Sequence, residues 1–158
     1  MVMRTGFGYD SHRFAPGEFF VLGGVRIPYE KGLAGHSDAD ALIHALIDAI
    51  LGALCAGDIG KHFPDTDAKY KGISSLVLLE HTVRLASEKG FAVESVDSTV
   101  IAQAPRLAPH IEAMRKVLSE VLHTEAVSVK AKTNEGMGFT GRGEGIAAFA
   151  VCVLKKTV

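Results

Sequence analysis

Cysteine is scarce in this chain, and its placement excludes the close pairing that zinc fingers and redox motifs need. Cys55 and Cys152 stand far apart, in the apolar stretches ALCAG and FAVCVL. They read as two buried free thiols in a reducing compartment. An excess of charge of one sign is lacking too. Seventeen Lys and Arg against eighteen Asp and Glu leave a net charge of -1, which gives no electrostatic case for nucleic acid or an anionic membrane as partner. No apolar run reaches the roughly 18 residues of a membrane span. The N-terminal MVMRTGFGYDSH has one arginine and none of the apolar segment of a secretory signal. Internal repeats, low-complexity tracts and linkers are also missing. The absences leave a soluble, cytoplasmic chain, read as one domain over residues 1–158.

What is present suits such a domain: 47% hydrophobic and 22% charged residues are ordinary for a folded soluble protein. Seven histidines are many, and they direct attention to a metal. Residues 5–14 alternate as a first strand. Residues 19–27 read as its hairpin partner, broken at Gly23-Gly24. Residues 28–37 form a glycine-rich loop. A helix is expected from Asp38 to Cys55, with Leu42, Leu46, Ala49, Ile50 and Ala53 at helical spacing and Ser37 as N-cap. Residues 57–72 make a long polar loop, a kind uncommon unless it binds something. A second helix covers Ser75 to Lys89, a strand 91–101, a third helix Pro109 to Leu122, and strands 127–133 and 144–154 close the chain. The last strand, IAAFAVCVL, is apolar without alternation, as strands covered on both faces are. The fold class is therefore α+β, a mixed four- to five-stranded sheet with helices on one face. Another copy of the chain is the simplest cover for the other.

Asp10 and His12 lie two apart on a predicted strand, so both point to one face. Alone, such a pair more commonly serves turn or ladder hydrogen bonds. In SDADALIHALID, Asp40, His44 and Asp48 follow at four-residue spacing, a polar stripe down an apolar helix. A lone histidine there is more often a hydrogen-bonded core residue than a ligand. Together with the strand pair, two imidazoles and a carboxylate make a reasonable zinc shell with the fourth position open. Asp48 either orients His44 from behind or is simply solvated.

Three further segments carry unusual chemistry. The GHSD turn places His36 and Ser37 at the start of the helix bearing His44, where free amides favour anions. KTNEGMGFTGRGEG, residues 132–145, holds five glycines, more than a bland hairpin needs, which points to backbone approaching a ligand or another subunit. It is not a Walker loop. AQAPRLAPH, residues 102–110, joins a strand to a helix through two prolines and reads equally as a structural elbow.

In order and spacing, GFGYDSHRF, LGGVRIPYEKGLAGHSDADALIHALIDAILGA, GDIGKHFPDTD, IAQAPRLAPHI and VKAKTNEGMGFTGRGEGIA together resemble the 2-C-methyl-D-erythritol 2,4-cyclodiphosphate synthase family. The resemblance covers essentially the whole chain. It implies a homotrimer with active sites between neighbouring subunits and a small, CDP-linked substrate. The family's zinc ligands, which another divalent transition metal could also use, fall on Asp10, His12 and His44. Glu135 matches the position that helps hold a second divalent ion, Mg2+ or Mn2+, at the diphosphate. His36 and Thr133 match residues assigned to transition-state stabilisation. Methylerythritol contacts fall on Ser37 beside His36, on Asp58, Ile59 and Gly60, and on Phe63, Pro64, Asp65, Thr66 and Asp67. The cytidine pocket falls on Ala102, Gln103, Ala104, Pro105, Arg106, Leu107 and Ala108, with Lys132 and Asn134. Phe139 and Arg142 join the substrate contacts, and Arg142 and Glu144 match residues at the central cavity of the trimer, a place proposed for isoprenoid-like ligands. Lys132 departs from the threonine that many members carry.

The implied reaction closes a substrate on itself and releases CMP, in the non-mevalonate route to isoprenoid precursors. Two other readings of the same residues stand beside it. A metal-dependent phosphohydrolase would use the Asp/His/His set to activate water. A non-catalytic trimeric module for isoprenoids or nucleotides would hold structural zinc, which requires a fourth protein ligand.

Overall fold

The computed structural model describes residues 1–157. Its first strand, β1 (Met3–Ala15), alternates strictly from Gly6 onward: Gly6, Gly8, Asp10, His12 and Phe14 face the interior, while Phe7, Tyr9, Ser11 and Arg13 face out. Two short strands follow, β2 (Val21–Leu22) and β3 (Val25–Arg26), then β4 (Gly32–Leu33). Residues 19–27 were expected to pair with β1; instead they fold on themselves as a separate two-stranded hairpin turned by Gly23 and Gly24. Both glycines have positive φ, which lets so tight a reversal close at once. The partners of β1 are β4, inside the expected loop, and the last strand.

Helix α1 (Ala41–Ala53) is buried around nearly its whole circumference, and only Asp48 and Gly52 emerge. It begins three residues later than the apolar spacing implies, and its N-cap is Asp40, whose side chain accepts the Ile43 amide; Ser37 does not cap it. Beyond come a single turn, α2 (Ile59–His62), a 3-10 turn over Ala68–Tyr70, α3 (Ser75–Glu88), β5 (Phe91–Ile101) and α4 (Ile111–Leu122). The chain ends with β6 (Val127–Lys132), the short α5 (Gly138–Gly141) and β7 (Gly145–Lys156).

The main sheet runs β4-β1-β7-β5-β6, antiparallel except for the β5–β6 pair, a five-stranded mixed sheet within the four to five strands expected. Helix α1 packs on β1 and β7, α3 on β5, and α4 on β6. The inward residues of β7, among them Ile146, Ala148, Ala150 and Cys152, are buried beneath α1. Burial pushes the Cys152 thiol up to about 11 against a hydrogen bond from the Gly6 backbone, an inert thiol. Cys55, expected to be buried, is exposed past the end of α1. On the outward face Phe7 is 62% exposed and Tyr9 44%, with the Tyr9 ring tilted against that of Phe149, centroids 5.1 Å apart.

Helix and strand approach each other unusually closely. A methyl group built on Gly6 would lie 1.8 Å from the Ala49 carbonyl oxygen, and one on Gly8 would lie 1.8 Å from that of Ala45. Both obstacles are backbone and cannot swing aside. Gly8→Ala should therefore cost about 3 kcal/mol, roughly 6–12 °C in Tm, and weaken metal binding by separating α1 from β1. Thermal unfolding of the metal-free variant checks this; an unchanged Tm would show that the contact is slack.

Candidate metal centre

Where β1 outruns its two glycines, the next inward residues are Asp10 and His12. His44 reaches the same place from α1, adjoining Ala45. Asp10 Oδ2 lies 2.8 Å from His12 Nε2 and 2.9 Å from His44 Nδ1, and the two nitrogens are 3.1 Å apart. Bonds of about 2.0–2.1 Å to a tetrahedral zinc set ligand atoms about 3.3 Å apart, so a slight opening of this triangle fits the ion. Among the described residues no fourth His, Cys, Asp or Glu joins the group. An open position is the mark of a catalytic site, and it argues against a closed structural one.

The outward nitrogens are engaged. His12 Nδ1 donates to the Ala34 carbonyl at 2.9 Å. His44 Nε2 lies 2.8 Å from Ser75 Oγ and 3.0 Å from Ser37 Oγ. Holding the outer nitrogen fixes ring orientation and leaves the inner one for a ligand bond. Burial pushes the Asp10 carboxyl up, but hydrogen bonds and charge from His12 and His44 outweigh it and hold it at about 2. Burial likewise pulls His12 down, yet the Asp10 carboxylate and the Ala34 carbonyl prevail and raise it above its ordinary 6.5.

A cavity of about 230 Å³ contains Asp10, His12 and His44 together with His36, Ser37, Ile59, Gly60, Phe63 and Asp65. His36 Nε2 donates to the Asp67 carbonyl at 3.3 Å, tying the GHSD turn to the long polar loop. Asp58 and Asp67 cap short turns in that loop by accepting the Lys61 and Lys69 amides. In the first turn of α1 the Ile43 amide is taken by Asp40.

The segments read as a cytidine pocket cluster elsewhere. Ala102 N donates to the Lys132 carbonyl at 2.9 Å, and Gln103 Oε1 accepts from Gly136 N at 3.4 Å, joining 102–108 to 132–136. Glu135 sits there at φ 53°, a left-handed backbone costly to a residue with a Cβ and concentrated at functional sites. None of Ala102–Ala108 or Lys132–Glu135 lines the metal cavity of the same chain. Phe139, Arg142 and Glu144 border a larger open groove of about 800 Å³ that His12 also touches, with Arg142 and Glu144 paired at 3.1 Å.

The acidic stripe on α1 serves backbone amides. Asp40 accepts the amides of Gly23, Gly24 and Ile43 and pins the β2–β3 hairpin to α1. Asp48 does not hydrogen-bond His44 but accepts the Ile59 amide at 2.7 Å, holding the polar loop in place. Burial raises its pKa. The group behind His44 is Ser75, which sequence reasoning passed over because a serine opening a helix reads only as a cap.

Residues 3–155 match the model of the YgbB family. A 2-C-methyl-D-erythritol 2,4-cyclodiphosphate synthase from Brachyspira hyodysenteriae is 60% identical over 157 residues, 98% of this chain and 99% of that one. Among solved structures, the IspF–CDP complex of Plasmodium falciparum superposes with a TM-score of 0.86 at 34% identity, over 99% of this chain and 97% of that chain. The bifunctional IspDF of Campylobacter jejuni superposes with a TM-score of 0.94 at 41% identity, over 98% of this chain and 42% of that longer chain.

The shifted pKa values set a pH window for the metal-free protein. His12, raised when folded, contributes stability fully below about 6.5 and loses it as pH climbs past the folded value. Asp10 contributes above its unfolded 3.8 and loses this as pH falls through about 2. The Tm advantage of the native chain over His12→Gln, both metal-free, should shrink between pH 6 and 8.5. An advantage that grows with pH would contradict the assignment. Zinc affinity should move oppositely, rising over the same interval as the competing proton leaves.

Proposed function

The chain belongs to the YgbB family, and we propose from this that it converts 4-diphosphocytidyl-2-C-methyl-D-erythritol 2-phosphate to 2-C-methyl-D-erythritol 2,4-cyclodiphosphate, releasing CMP. The relatives' shared name supports the reaction, and the convergence of Asp10, His12 and His44 on one point is the observation that carries it. An oxygen of the 2-phosphate attacks the β-phosphorus of the substrate's own diphosphate. The bond from that phosphorus to the bridging oxygen breaks, and CMP departs with the electron pair. A phosphate whose second pKa is about 6 is largely dianionic at neutral pH, so the chain needs no base to make the nucleophile.

The obstacles are repulsion between anions and the entropy of ring closure. Divalent cations held by Asp10, His12 and His44, and by Glu135, would neutralise the charge on the diphosphate. Zinc suits the first set and magnesium or manganese the second. Gripping both ends of the substrate meets the other obstacle, and such positioning supplies up to roughly 7–11 kcal/mol. His36, Ser37, Asp58–Gly60 and Phe63–Asp67 hold the methylerythritol end; Ala102–Ala108, Lys132 and Asn134 hold the cytidine; Thr133 and His36 steady the transition state. Phe139 and Arg142 complete the contacts.

Within one chain the metal cavity lacks the cytidine segments. That separation supports a homotrimer in which one subunit supplies the metal and its neighbour the nucleotide pocket. The exposed apolar strip of Phe7, Tyr9 and Val151 on the open sheet face is where such neighbours would pack. Arg142 and Glu144 would then border the axial cavity. The enzyme would act in the cytoplasm, as a lyase of phosphorus–oxygen bonds.

Phosphorus NMR of the purified protein with this substrate should show a cyclic diphosphate and CMP, and a chelator should stop both. His44→Ala should lower turnover by about 10²–10³-fold, the scale on which losing one charge-stabilising group is felt. Free inorganic phosphate as the product would instead mark a phosphohydrolase and sink the reading.

A further inference from the structure

Behind His44 lies a chain of hydrogen bonds whose directions the chemistry decides. Asp38 is a carboxylate toward which three donors converge. Its Oδ1 accepts from Ser75 Oγ and from the Asp40 amide at 3.2 Å; its Oδ2 accepts the Ser75 amide at 3.0 Å. A serine hydroxyl owns one proton. That proton is committed to Asp38, so toward His44 Nε2, 2.8 Å away, Ser75 Oγ can only accept. His44 Nε2 must therefore carry hydrogen. Nδ1, which faces Asp10 and His12, is thereby the nitrogen left for the metal.

We propose that Ser75 and Asp38 are positioning residues for the metal: a carboxylate–hydroxyl–imidazole relay that aims His44 and makes its ligating nitrogen more electron-rich. His12 has no counterpart, since its outer nitrogen donates to a neutral carbonyl, Ala34 O. Ser37 Oγ, 3.0 Å from the same Nε2, has no carboxylate behind it and instead accepts the Ala39 amide at 3.3 Å. Ser75 is fully buried at the first residue of α3, so the relay also ties that helix to the loop before α1. The inference rests on the metal reading of Asp10, His12 and His44 and extends it to residues that touch neither metal nor substrate.

Zinc affinity, measured on the metal-free protein by competition with a chromophoric chelator, tests the relay without any turnover. Ser75→Ala should weaken binding about 10–100-fold, the usual effect of losing a partner behind a metal-bound histidine. Asp38→Asn should weaken it at least about 10-fold, because one amide oxygen cannot accept all three donors. The double variant should bind zinc no more weakly than the weaker single, since both act through one hydrogen bond. Ring nitrogen NMR of the unsubstituted metal-free chain gives a check that needs no variant: His44 Nε2 should be protonated. A bare Nε2, additive losses in the double variant, or unchanged affinity in folded Ser75→Ala would each overturn the relay while zinc still binds the native chain. Failure of the native chain to bind zinc would overturn the metal reading and the relay with it.

Discussion

The approach of α1 onto β1 is the contact on which the centre depends. Gly6 and Gly8 present no side chain, and alanines at 45, 49 and 53 present the least a helix can while keeping its propensity. The helix carbonyls therefore settle where a Cβ would otherwise stand. Two residues beyond Gly8 comes Asp10, and one before Ala45 comes His44. The period of two along the strand and the pitch of the helix bring these side chains level. With a larger residue at 6 or 8, α1 would ride higher and His44 would lose Asp10.

Electrostatics then decides what the packed elements do. Three ligand atoms about 3 Å apart, mostly screened from water, repel unless a cation or proton lies among them. That frustration is what suits the site to a cation. Around it, acidic side chains serve backbone: Asp40 gathers the hairpin, Asp48 the polar loop and Asp38 the start of α3. Carboxylates suit this because each oxygen accepts more than one amide, so loops without regular hydrogen bonds are held by a few anions.

Much of this was legible beforehand. The strand over 91–101 matches to the residue, the shared face of Asp10 and His12 followed from alternation alone, and a mixed sheet of four to five strands followed from the order of elements, although its edge strand β4 lies where a loop was expected. Other features were not. Residues 19–27 alternate well enough to pair with β1, yet two positive-φ glycines turn them back on themselves, and two residues of strand carry little pattern. Asp48 looked like a partner of His44 because four-residue spacing aligns them; its actual partner is the Ile59 amide of the polar loop, to which periodicity is blind. Cys55 sits among apolar residues yet past the last turn of α1, where the chain leaves the core.

Residue spacing by itself determined that an aspartate and a histidine share one strand face, that a second histidine rides an apolar helix, and that glycine-rich segments surround them. These are local consequences of a period of two and a period of 3.6, and they need no knowledge of the rest of the chain. Only the tertiary structure decided that the three ligands meet and that Ser75 and Asp38, 31 and six residues from His44, stand behind it. Hydrogen bonds between distant segments leave no periodic trace, because their geometry exists only after the helix has been drawn down onto two glycines.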